Sequence, residues 1–156
     1  ASDVYKRQDN TIVTVPPQKL IEDSFQNWHG MEESSGRRVT RTIYLDFRSI
    51  TVASDELKKA LAAEGLIKPE EMNGDVINLT LFRRYMERWL ERRDDVVTSA
   101  TYLMHLLDPT ANGLPIEIYF FLKQKEWKAY EHHLAEIMEW TYALLPKFGL
   151  KIYQRI

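Results

Sequence analysis

LPIEIYFFLKQKEWKAYEHHLAEIMEWTYALLPKFGLKIYQ, Leu114 to Gln154, contains the change of hydrophobic period that decides the fold. Over Leu114 to Lys123, Ile116, Ile118, Phe120 and Leu122 share one parity and Glu117, Tyr119, Phe121 and Lys123 the other. That alternation predicts a strand with one face against helices and the other partly wet. From about Lys125 to Leu145 the spacing becomes helical, with Trp127, Tyr130, Leu134, Ile137, Met138, Thr141 and Leu145 on an inner stripe. Pro146 and Gly149 stop the helix, and Leu150 to Gln154 returns as a last strand.

Upstream, Ser99 to Leu107 is a second β-type run, and the residues from Asp108 to Gly113 suit a turn, so a hairpin is expected. Before it, Thr80 caps a helix whose buried stripe is Phe82, Tyr85, Met86, Trp89 and Leu90. Lys68 to Asn78, punctuated by Pro69, Asn73 and Gly74, reads as a loop or small excursion. Ser54 caps a short amphipathic helix that Gly65 ends. Val39, Ile43, Leu45 and Phe47 alternate with Thr40, Thr42, Tyr44 and Asp46 as a half-buried strand, with Arg41 the one mismatch. In order these elements predict an α+β fold, a ferredoxin-like split βαβ sandwich with an extra helix/loop insertion. Right-handed crossovers would place both main helices on one face of a four-stranded antiparallel sheet. Ahead of it, Thr11 to Val15 reads as a strand stopped by Pro16 and Pro17, Gln18 to Phe25 as a short helix, and Asn27 to Gly36 as a linker.

A chain of 156 residues fits one ordinary domain, or one domain and a fragment, and 44% hydrophobic residues suffice for a substantial core. With 21 basic against 23 acidic residues there is no whole-chain field to draw in nucleic acid or anionic lipid. The lack of cysteine removes disulfides and thiol chemistry, and fits a reducing compartment. The longest apolar runs, such as Ile116 to Leu122 with Glu117 inside it, are too short to span a bilayer.

The residue types that carry chemistry do not converge. His132 and His133 are helix neighbours about 100° apart, whereas a two-histidine site on a helix needs a spacing of four. His132 with Glu136 has that spacing, but a solvated face explains it; His29 and His105 have no local ligand partners. Asp94 and Asp95 follow the Phe82 helix as loop residues and take no role. No nucleophile or phosphate-binding motif occurs, so neither catalytic residues nor a cofactor or metal is expected. Arg37, Arg38 and Arg41 cluster near the first strand, and Arg83, Arg84, Arg88, Arg92 and Arg93 crowd one helix. Acidic residues interleave with the helical arginines and no RNA-binding strand signature accompanies them, so they read as an ion-paired helix face. Trp89, Trp127 and Trp140 read as packing, while Trp28, in the linker, needs a second domain or subunit to bury it.

Three motifs in order add a resemblance that covers Asp9 to Gln154. Asp9, Ile12, Val13, Val15, Pro16, Lys19, Leu20, Ile21, Asn27 and Trp28 match the stretch that joins the middle β-domain to the C-terminal α/β domain in small-conductance mechanosensitive channels, the MscS family. Asn10 stands where that family has glycine, and Pro17 where it has asparagine. Gly113, Leu114, Pro115, Glu117 and Tyr119, then Trp127, Tyr130 and Glu131, then Pro146, Phe148, Gly149 and Leu150 resemble the end of its longer, miniconductance-type branch.

Residues 1–8, which open at Ala1 without a methionine, read as a non-native leader; the resemblance implies that 9–36 are the end of the middle β-domain with a short helix and linker, and 37–156 a C-terminal α/β vestibule domain. It implies a homoheptamer in the bacterial inner membrane, its cytoplasmic domains enclosing a vestibule and its lipid contacts made by absent transmembrane helices. Such a channel opens under tension and releases osmolytes on hypo-osmotic shock, and the fragment itself does not conduct. Ile12, Val13 and Val15 would complete an intersubunit β-layer, and Trp28 would pack at the domain junction. Nucleic acid is not an expected partner. The alternatives are a free-standing ferredoxin-like ligand-binding or regulatory module and, last, an enzyme.

Overall fold

A computed structural model of the chain describes residues 36–154. Strand β1 (Arg37–Leu45) pairs antiparallel with β3 (Leu114–Leu122), and β2 (Leu103–Leu106) pairs antiparallel with the other edge of β3. Register follows the alternation of the two long strands. Val39, Ile43 and Leu45 lie opposite Phe120, Ile116 and Leu114, so both strands turn their apolar residues to one face. Helices α1 (Asp55–Ala63), α2 (Asn78–Arg92) and α3 (Trp127–Leu144) pack on that face in one core. The architecture is the mixed α+β arrangement the periodicity calls for.

The core is dense where the motifs lie. Ile116, Ile118, Phe120 and Leu122 of β3, with Phe82, Met86, Ile137 and Phe148, are fully buried, and each such side chain contributes roughly 1.5–3 kcal/mol through burial. Phe148 meets Phe82 edge to face at 5.4 Å. Its placement depends on Gly149, whose φ of 75° lets the chain leave the turn Leu145–Phe148 in a left-handed conformation. α1 begins as its sequence requires, with Ser54 Oγ accepting from Leu57 N–H at 3.0 Å.

Four local expectations are corrected. α2 begins at Asn78 rather than after Thr80, because the Asn78 side chain is spent on tertiary bonds and Ile77 occupies the cap without a side-chain bond. β2 is shorter than Ser99 to Leu107: Val97 N–H donates to Phe121 C=O, and the chain then swings out so that Val97 and Ala100 cover Phe121 on the open face. Trp127 is 67% exposed, since it opens α3 one turn ahead of Tyr130, the first buried position. The fourth strand shrinks to one bridge between Ile152 and Leu45, flanked by Asp46 N–H to Lys151 C=O and Tyr153 N–H to Tyr44 C=O, both 2.8 Å. Ile152 itself stays exposed, so further pairing would gain little apolar burial.

Candidate functional site

Among the described residues, the densest set of interacting ionisable groups lies where α2 hands the chain to the β2 edge. Arg93, directly after the helix, turns back through its N–H to Leu90 C=O, which aims its guanidinium at Asp95. Nε and Nη2 of Arg93 donate to the two Asp95 oxygens, each at 2.8 Å. His133 of α3 brings Nδ1 to 2.7 Å from Asp95 Oδ2, and Glu136, one turn on, takes Arg93 Nη2 at 3.4 Å. The Asp95 side chain is only 6% exposed. Its backbone carbonyl accepts from Lys123 N–H at 2.9 Å, so one residue ties α2, β3 and α3 together. On the other side the Arg93 guanidinium lies 5.0 Å over Trp89, which stacks on Trp140 at 5.9 Å.

The electrostatics follow from those bonds. Burial pushes the Asp95 carboxyl up, but the hydrogen bonds from Arg93 and His133 together outweigh it and hold the group below the usual carboxylate range. The bond to Asp95 raises Arg93 in turn. A carboxylate neutralised by a bidentate arginine is a poor proton acceptor, so the cluster is built to join elements rather than to move protons. Among the described residues no group of three or more His, Asp or Glu side chains is arranged to hold a metal ion.

Three further polar arrangements belong to the scaffold. His105 Nε2 and Glu117 Oε1 meet at 2.7 Å across β2 and β3 on the open face. The buried Glu71 carboxylate accepts Lys68 N–H at 2.8 Å and Arg88 Nη2 at 3.2 Å, with Arg84 at 3.7 Å. The arginine face of α2 is therefore ion-paired mainly through tertiary contacts, not along its own helix. A groove of ≈ 490 Å³ runs between Asp46, Arg48, Ser49, Thr51, Gly149 and Lys151. The side-chain bonds from Arg48 hold the Asp46 carboxyl low there.

Ile12, Val13, Val15 and Trp28, the interface residues of the sequence reading, lie outside the described residues, as do residues 1–8 and nearly all of 9–36. The Asp95–His133 contact was missed because their 38-residue separation leaves no local signal. An acidic pair just past the end of a helix whose last turn is basic is the single hint the sequence offers. No family model matches the chain.

Proposed function

We propose that residues 37–156 form the cytoplasmic vestibule domain of a tension-gated channel of the MscS type, which releases ions and small osmolytes on hypo-osmotic shock from a homoheptamer in the bacterial inner membrane. The observation that carries this reading is the ordered set of three motifs, because its described members do framework work. Gly113, at φ 99°, lets the hairpin turn pass against the Leu45 carbonyl, where any Cβ would collide. Tyr130 reaches from α3 to β1, its Oη donating to Arg38 C=O at 3.2 Å. Phe148 and Leu150, both buried, make the helix stop with Gly149 between them. Trp127 is the exception, exposed at the start of α3.

Within this reading the described residues supply a wall, and its role is mechanical and electrostatic. The Asp95 cluster keeps α2 and α3 fixed to the sheet, and the exposed charges bias which solutes pass. The test is patch-clamp recording of the full-length protein in giant spheroplasts that lack their own mechanosensitive channels. Tension-gated currents, together with improved survival of osmotic downshock, are expected. A protein verified in the membrane that stays silent up to lytic tension refutes the reading. The polar groove beside Asp46 favours the second reading, a free-standing ligand-binding or regulatory module. That reading expects the full-length protein to partition wholly into the aqueous fraction.

A further inference from the structure

Bonds at its two ends show how β1 is turned. Tyr44 C=O accepts from Tyr153 N–H, and Arg38 C=O accepts from Tyr130 Oη, so the even-numbered residues of β1 direct their backbone groups away from β3. Thr40 and Thr42, between those points, are exposed. Among the described residues, the hydrogen bond that reaches their outward backbone groups is the one Arg41 makes from Nη1 to Thr40 C=O at 3.0 Å. Within the described residues the stretch is a short sheet edge, the N–H groups of Thr40 and Thr42 and the Thr42 C=O having no partner there.

The other edge is treated differently. Met104 of β2 has its outward N–H bonded to Glu87 Oε2 at 3.0 Å and its outward C=O to Arg83 Nη1 at 3.4 Å, so α2 covers that edge at Met104. Where β1 is open, the strand reads RRVTR, Arg37 to Arg41, with Arg38 and Arg41 exposed. An added strand satisfies backbone groups, and the side chains flanking it select its charge. We infer that the β1 edge at Thr40 and Thr42 is a docking site for an acidic extended segment of a partner protein, added as a strand, with Arg41 leaving the Thr40 carbonyl to meet a carboxylate. The inference uses only the edge and its charges and holds whether or not the chain belongs to a channel.

The test is amide exchange and chemical-shift mapping by NMR on the 156-residue chain, titrated with a blocked peptide of alternating glutamate and valine. A lysine–valine peptide is the control. The acidic peptide is expected to slow exchange at Thr40 and Thr42 by about tenfold or more, saturably, and less at high salt. Arg41→Glu, an exposed substitution, is expected to weaken binding about tenfold while leaving the thermal midpoint in place, one charge reversal at a single contact corresponding to about that factor. Equal binding of the lysine peptide overturns the inference, as does protection centred away from Thr40 and Thr42. So does slow exchange at both amides before peptide is added, which would mean that this chain's own residues cover the edge. Protection that grows with protein concentration alone would assign the edge to a second copy and overturn it equally.

Discussion

Asn78 is where the fold is most exposed to a single substitution. It is 2% accessible, and its amide serves two segments far from it in the chain, that of Ser49 and Thr51 and that of Phe148. Oδ1 accepts Thr51 N–H at 3.0 Å, while Nδ2 donates to Ser49 C=O and Phe148 C=O, both at 2.9 Å. Replacement by alanine removes three bonds worth about 1 kcal/mol each, and the Phe148 carbonyl, the buried one of the three partners, is left unmet. Alanine regains about 0.5 kcal/mol of helix propensity, so the net loss expected is about 2.5 kcal/mol. Against a total of roughly 5–15 kcal/mol that is a large share. Urea unfolding followed by tryptophan fluorescence reads it as a lower midpoint at unchanged slope. Asn78→Asp sharpens the test, because it keeps the shape and the Thr51 bond but turns an oxygen on two carbonyls. The helix N-terminus favours the new carboxylate by only about 0.5–1 kcal/mol, so at neutral pH this variant should fall at least as far as alanine. Its folded-state carboxyl is raised, so its deficit is smallest below the unfolded value of about 3.9 and grows as pH rises through the folded one. An alanine variant within about 1 kcal/mol of the parent, or an aspartate variant as stable as the parent at neutral pH, refutes the reasoning.

Asp95→Asn should cost about 2–3 kcal/mol at neutral pH through loss of the charge-assisted bonds to Arg93 and His133. Because the folded carboxyl lies below its unfolded value, that stability is complete above about pH 4 and disappears as pH falls through the folded value, so parent and variant unfolding curves converge in acid. Gly113→Ala combines a left-handed φ with a collision at Leu45 C=O, and a loss of about 3 kcal/mol or misfolding is expected in thermal unfolding. Trp127→Ala should change stability by less than about 0.5 kcal/mol, and a cost above 2 kcal/mol would contradict its exposure.

What the sequence revealed was what local periodicity can carry. The alternation of Ile116, Ile118, Phe120 and Leu122 fixed both the strand and its buried face, and Ser54 and Gly65 marked the ends of α1. The failures share a cause, which is that distant partners outbid local preference. Thr80 is a good cap by type, yet Asn78, bonded to Ser49 and Phe148, starts the helix three residues sooner than a Thr80 cap would. Ser99 to Leu107 has strand composition throughout, yet Ala100 is needed over Phe121, and pairing there gives way. Trp127 has the right spacing for the inner stripe of α3, but periodicity does not say where a helix overruns its sheet. Asp94 and Asp95 are alike in sequence. Only the arrival of His133 from 38 residues away makes the second a structural centre.

The two edges of the sheet bear on the same point. A sheet edge displays unpaired backbone groups that recruit other chains unless something covers, twists or charges them. On β2 the cover is built into α2, where Glu87 and Arg83 bracket Met104, and those bonds explain part of the charge on that helix that the sequence assigned to solvation. On β1 the mismatch at Arg41 is the corresponding signal, a charged residue in an apolar register between two exposed threonines. If arginine were there only to repel other strands, a partner's charge would not matter. If it selects a partner, acidic and basic strands must differ, and the difference must vanish with Arg41→Glu. The single bridge at Ile152 leaves that edge open to the question, and the contrast between the two peptides decides it.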